Sequence, residues 1–332
     1  MSGQSARSQV RRVGLALGNN QEAMERYHQI VVGFDGSPCA GRAVVEAMKI
    51  AGWSVAPLWS IRAIPKVDLK NLASATSLSD EALLKTRERQ DIAGLKVLSE
   101  PHPETEWHHS CRVGKVISTL LDTVKEKSAD LLIVGTHGHT HAEIDALGSV
   151  ARECLQDASC DVLLIREALV GDICKIVAVV GDGTSDHDRE TYRKAAAVAS
   201  RGGCSLEVLS CFSETWREIL AGEVDCDLAE VSREGVAERT ARLEKMISTE
   251  HVPPGTPSPR LSVVANHSPS LGTLEALRKR NPDLIVLESQ MISELPTVER
   301  IVAETTSSIL MAKNPPKHQD PAVLDAVAST EV

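Results

Sequence analysis

Short apolar runs alternating with amphipathic stretches set the pattern of this chain. Ile30-Val31-Val32-Gly33-Phe34 and Leu131 to Val134 are continuous apolar runs, the signature of strands covered on both faces. Behind the first, Ala40, Val44, Ala47, Met48 and Ala51 recur at helical spacing. With Ser37 as N-cap and Pro38 at the first helical position, they predict an amphipathic helix over 38–51. Val55 to Ile64 and Thr105 to Val113 read as the second and third strands. Between them lie a loose segment to about Ser77 and a charged helix from Ser79 to Leu98. A helix over Lys115 to Glu126, the fourth strand at Leu131 to Val134 and a fifth at Val162 to Ile165 complete an alternation that predicts a parallel α/β sheet.

The fourth strand ends in a glycine loop that carries Gly135, Gly138 and Gly148. Ser149 is placed as the N-cap of a new helical pattern, Val150, Ala151, Cys154, Leu155 and Ala158. Glycines bare backbone N–H groups, and a helix start adds partial positive charge, so strand, loop and helix together suit a phosphate. On that reading, a side chain at Gly138 or Gly148 abolishes phosphate binding with little loss of stability.

The chain then repeats itself. Ile176 to Val180 with Asp182-Gly183-Thr184 echoes Ile30 to Ser37, setting Asp182 opposite Asp35. Asp283-Leu-Ile-Val-Leu echoes Asp130-Leu-Leu-Ile-Val, and Ser308 to Met311 echoes Asp161 to Leu164. The phosphate side is not copied. Glu288 stands where the first half has Gly135, the following loop is six residues shorter and reads Ser289 to Glu294, no glycine remains, and Pro296 replaces the expected helix start. One competent site per chain is therefore expected.

At 332 residues the chain suits two domains, and 42% hydrophobic with 25% charged residues match a soluble globular protein. The net charge of −10, without a basic stripe, argues against nucleic acid. No apolar run reaches the roughly 20 residues of a membrane helix, and no signal-peptide core is visible, so a cytoplasmic protein is expected. Eight scattered cysteines without Cys-x-x-Cys or Cys/His ligand spacing read as reduced thiols, and no metal ligand set is assigned. Residues 1–28 and 314–332 read as flexible extensions around domains at 29–167 and 172–313.

The pieces Val31 to Ser37, Arg112-Val113-Gly114-Lys115-Val116 and Gly135-x2-Gly138-x9-Gly148-Ser149 resemble a universal stress protein domain, and their order fits that family. The whole chain resembles a tandem universal stress protein whose second domain is degenerate. The resemblance implies two open parallel five-stranded sheets of order 3-2-1-4-5 flanked by helices, like the adenine nucleotide alpha hydrolases. It further implies ATP or a related adenine nucleotide as ligand, with or without Mg2+, and dimer-like pairing of the two fifth strands within the chain, with a homodimer as an extension. In that order the sheet has its switch point between strands 1 and 4, where open α/β sheets bind ligands. Residue by residue, the resemblance gives Asp35, Gly36 and Ser37 to the adenosine side and Ile61 to the adenine pocket. It gives Gly135, Thr136, Gly138, Gly148, Ser149 and Val150 to ribose and phosphates, with His137 and His139 of the same loop as candidate contacts.

Blander readings stand beside these. Asp35 to Pro38 also makes a turn and helix cap, and Cys39 also fits as a small buried helical residue. For His137, His139 and His141, beside Glu143 and Asp145, solvated loop residues, phosphate contacts and a metal cluster stay open. At the level of function, a nucleotide-binding regulator acting through a protein partner leads over an ATP hydrolase or phosphoryl-transfer enzyme. The latter lacks a Gly-x4-Gly-Lys-Ser/Thr loop. A nucleotide-free scaffold suits the second half better than the whole chain.

Overall fold

The structure, a computed structural model, describes residues 26–76, 78–138, 147–166, 172–213 and 228–313. The first half runs β1 (Ile30–Gly33), α1 (Pro38–Ser54), β2 (Leu58–Ile64), α2 (Lys66–Thr76), α3 (Asp80–Ser99), β3 (Trp107–Val113), α4 (Val116–Glu126), β4 (Leu131–Gly135), α5 (Ser149–Asp157) and β5 (Asp161–Ile165). The second half follows the same alternation. It runs β6 (Lys175–Val180), α6 (Asp186–Gly202), β7 (Ser205–Ser213), α7 (Leu228–Thr249), β8 (Arg260–Asn266), α8 (Pro269–Arg280), β9 (Leu284–Glu288), a 3-10 turn over Ser289–Glu294, α9 (Leu295–Glu304) and β10 (Ser308–Ala312).

Each half is a parallel sheet of the expected order, and the two fuse into one ten-stranded sheet, β3-β2-β1-β4-β5-β10-β9-β6-β7-β8. The seam is antiparallel, with Ile309, Leu310 and Met311 opposite Leu164, Leu163 and Val162. Pairing at the seam satisfies the backbone groups that either half alone would leave at an open edge. The apolar runs are explained by burial on both faces: Ile30, Val32, Leu131 and Ile133 pack on one side with Val44 and Met48 of α1. Val31, Leu132 and Val134 pack on the other with Leu120, Ala151 and Leu155.

Local departures from the sequence reading have local causes. The segment after β2 is helical rather than loose: Pro65 O accepts from Asp68 N at 3.0 Å and Leu69 N at 3.1 Å, starting α2. Only Leu69 of α2 is buried, so its apolar periodicity is faint. Strand β2 begins at Leu58 rather than Val55, because α1 runs on to Ser54 and Val55 caps it in the left-handed region at φ 55°.

Charge crosses the seam as well. Asp161, fully buried at the start of β5, accepts from Tyr27 Oη at 2.8 Å, from Lys313 N at 2.9 Å after β10, and from Lys194 Nζ of α6. Because the seam hides apolar strands, residues 29–170 expressed alone should dimerise or aggregate. Sedimentation checks this; a monodisperse monomer would show that the seam is not what covers β5.

Candidate functional site

Asp35 stands just beyond β1 at the carboxyl edge of the sheet, and Gly36 turns the chain at φ 84°. The Asp35 Oδ1 accepts from Ser37 N at 2.8 Å, closing a turn, and its backbone O accepts from Arg62 Nη1 of β2 at 2.6 Å. Ser37 is the N-cap expected of it: buried, with Oγ accepting from Ala40 N at 3.2 Å. Its backbone is committed to the turn and the helix, with N donating to Asp35 Oδ1 and O accepting from Gly41 N at 2.9 Å.

The adjacent strand β4 brings the glycine loop to the same edge. A Cβ built on Gly138 would lie 2.6 Å from Asp35 Oδ2, so loop and carboxylate are in direct apposition. Gly148 N donates to Thr136 O at 2.9 Å, and Arg152 N donates to Gly148 O at 3.0 Å. These bonds make Gly148 the N-cap of α5 and Ser149 its first helical residue, one position later than expected of a cap. The cap carries no side-chain hydrogen bond. A Cβ at Gly148 would lie 2.9 Å from Thr136 O, and one at Gly135 only 2.8 Å from Cys39 Sγ. A side chain at Gly148 therefore strains the loop by itself, contrary to the expectation of little lost stability.

Asp35, Gly36, Gly135, Thr136, His137, Gly138, Gly148, Ser149 and Val150 thus gather at two neighbouring strand ends and one helix start. Thr136 is buried, with Oγ1 3.0 Å from His137 Nδ1. Ile61 is 1% exposed and packs in the core with Val31 and Leu120. His139 lies outside the described residues, as do His141, Glu143 and Asp145. Cys39 follows its bland reading: buried, with Sγ donating to Ile165 O at 3.1 Å.

Sequence reasoning missed the support behind Asp35. Arg62 is held by Asp91 of α3, Nε to Oδ2 at 2.5 Å and Nη2 to Oδ1 at 2.9 Å, and lies 5.2 Å from the Phe34 ring. An arginine two residues before the end of a strand gave no motif to read. Cys111, beside Asp91, has its thiol pushed up to about 12 by burial and by that carboxylate.

The second half repeats the carboxylate and fills the rest. Gly183, at φ 80°, matches Gly36, and Asp182 Oδ1 accepts from Thr184 N at 3.1 Å as Asp35 does from Ser37 N. Asp182 Oδ2, however, accepts from Arg242 Nη1 at 3.1 Å. The loop amides are also taken: Asp188 accepts from Gly181 N and, at 3.0 Å, from Gly183 N. An internal carboxylate thus fills the loop that, in the first half, presents Asp35. Glu288, at the end of β9, is pushed up to about 7 by burial, helped by Asp188 and Glu294.

That shift has a sign. Glu288 is raised from an ordinary 4.5, so its contribution to stability is full below pH 4.5 and is lost as pH rises through about 7. Glu288→Gln should leave stability unchanged near pH 4 and raise it at pH 8 by about 1 to 2 kcal/mol after allowance for solvent screening. Urea melts at the two pH values check this; equal effects would mean the carboxyl titrates normally.

Residues 26–166 match the Universal stress protein family. A universal stress protein of Methanocaldococcus jannaschii is 30% identical over 148 residues, covering 83% of that protein and 42% of this chain. The chain belongs to the universal stress protein family. Solved structures extend the fold likeness to both halves. A protein of unknown function from Pseudomonas aeruginosa PAO1 covers 93% of this universal stress protein and 100% of its own chain, at 18% identity and TM-score 0.59. A universal stress protein from Archaeoglobus fulgidus covers 86% and 98%, at 13% identity and TM-score 0.58. The tandem arrangement is therefore a property of the whole chain, and among the described residues no helix is long and apolar enough to cross a membrane.

Proposed function

We propose that the first half binds an adenine nucleotide, ATP or a close relative, with or without Mg2+, as the regulatory ligand of a cytoplasmic stress-response protein. The observation that carries this reading is the apposition of Gly138 to Asp35 across the ends of β1 and β4. Open parallel sheets bind ligands at this switch point. Asp35 would take the adenosine side, while the loop amides and the start of α5 would take the phosphates. Domains at 29–167 and 172–313 divide the work: the first binds, and the second packs against it. The bound nucleotide would alter association with a protein partner or with a second copy of the chain.

Hydrolysis is the competing reading, at most slow, since the sequence offers no P-loop lysine for the phosphates. Purified protein should release an adenine nucleotide on denaturation, identified by mass spectrometry, and should show negligible steady-state ATP turnover. A rate that disappears in Asp35→Ala would make it an enzyme, and release of a ligand without adenine would overturn the assignment.

A further inference from the structure

Behind the candidate nucleotide site, at the outer edge of the sheet, three unlike side chains converge. Asp91 of α3 is 6% exposed, the His109 side chain on β3 is fully covered, and Cys111, two residues on, is half-buried. Asp91 Oδ2 lies 3.3 Å from His109 Nε2 and 3.6 Å from Cys111 Sγ, which is itself 3.7 Å from His109 Nε2.

We propose that Asp91, His109 and Cys111 form a zinc site with three protein ligands. The distances carry the argument. With zinc bonds of about 2.0 Å to oxygen and nitrogen and about 2.3 Å to sulfur, a tetrahedral ion separates its ligands by about 3.3 Å (N to O) and about 3.5 Å (S to either). The three side chains stand within about 0.2 Å of those edges before any ion is added.

A plain hydrogen-bond network explains the cluster less well. If His109 Nε2 is unprotonated, its lone pair faces Asp91 Oδ2 at 3.3 Å; if it is protonated, both it and Cys111 Sγ donate to that oxygen, which already accepts from Arg62 Nε at 2.5 Å. Three donors would then crowd an oxygen with two lone pairs. With zinc present, His109 Nε2 and Cys111 Sγ turn lone pairs to the ion instead. Ser60 Oγ, 3.2 Å from His109 Nδ1, is placed to accept the ring proton, the outer partner that metal-binding histidines usually have. Arg62 Nη2 holds Oδ1 at 2.9 Å and orients the carboxylate. Binding replaces the Cys111 S–H bond by a zinc–sulfur bond and releases that proton to solvent. The fourth ligand comes from water.

The repeat supplies a control. Ile30 pairs with Leu58 and Leu131 as Ile176 pairs with Leu206 and Leu284, which fixes the correspondence of the two halves. Ser60 faces His109 and Arg62 faces Cys111; in the second half Val208 faces Leu261 and Ser210 faces Val263. At the same places the second half carries Val208, Leu261 and Val263, with Leu261 and Val263 packed against the core. The fold does not need a polar cluster here.

The test uses the full chain, reduced, with Co2+ as a spectroscopic stand-in for zinc and Zn2+ as competitor. The expected result is one Co2+ per chain, with tetrahedral visible bands and a thiolate charge-transfer band, displaced by one equivalent of Zn2+. Cys111→Val and His109→Leu introduce residues the second half already packs at these positions. Each should weaken Co2+ binding at least tenfold, and Cys111→Val should remove the charge-transfer band, whereas Cys174→Ser, at an exposed thiol, should change nothing. Ser60→Ala should weaken binding 10- to 100-fold while keeping the band, the range typical of lost outer partners. No Co2+ spectrum at millimolar metal, or one unaffected by Cys111→Val in a protein with native circular dichroism, would overturn the proposal.

Discussion

Asp161→Ala should destabilise the protein by about 3 to 5 kcal/mol, the usual cost of stranding the partner of a buried ion pair. The carboxylate is fully buried at the seam and serves Tyr27 Oη, Lys313 N and Lys194 Nζ together. Removing it leaves the Lys194 ammonium, 17% exposed, with Glu190 Oε1 at 3.3 Å as its remaining carboxylate. It also uncaps the amide that follows β10. Lys194→Met added to Asp161→Ala should recover part of the loss, because the stranded charge goes with it. Chemical denaturation of the single and double variants measures both effects. A cost below about 1 kcal/mol would mean that the apolar pairing of β5 with β10 holds the halves together without this cluster.

Asp35→Ala should weaken ATP binding by about 10- to 100-fold, since a hydrogen bond to a charged group is worth about 1.5 to 3 kcal/mol. Asp35→Asn separates charge from turn geometry: an amide oxygen can still accept from Ser37 N, so folding should be untouched while binding falls. Calorimetric titration of both variants distinguishes the two contributions. Unchanged affinity in Asp35→Ala would remove the carboxylate from the site.

The sheet was legible because both of its faces are covered: runs such as Ile30 to Val32 and Leu131 to Val134 announce strands without any family knowledge. The repeat was equally plain, and the structure pairs the two fifth strands that it made equivalent. Helix α2 was hidden, because one buried residue, Leu69, makes no periodic pattern. At the site, Asp35 and the glycine spacing could be read, but the reason for two of the glycines could not. Gly135 and Gly148 are small because Cys39 Sγ and Thr136 O lie against them, which only tertiary packing reveals. Arg62, Asp91, His109 and Cys111 were invisible for a related reason: they meet across β2, β3 and α3, 20 or more residues apart in most pairs, so no local spacing records them.

The degenerate half bears on stoichiometry most directly. Asp182 is paired with Arg242, Asp188 fills the amides of Gly181 and Gly183, and Glu288 replaces the glycine at the end of β9. Glu288 and the shortened loop remove what the first half offers to phosphates, and the other contacts engage the loop on the adenosine side. Equilibrium titration of ATP into the full-length protein should therefore saturate at one nucleotide per chain, with affinity lowered in Asp35→Ala and unaffected by Asp182→Ala; saturation near two, or affinity unchanged in Asp35→Ala and lowered in Asp182→Ala, would contradict it.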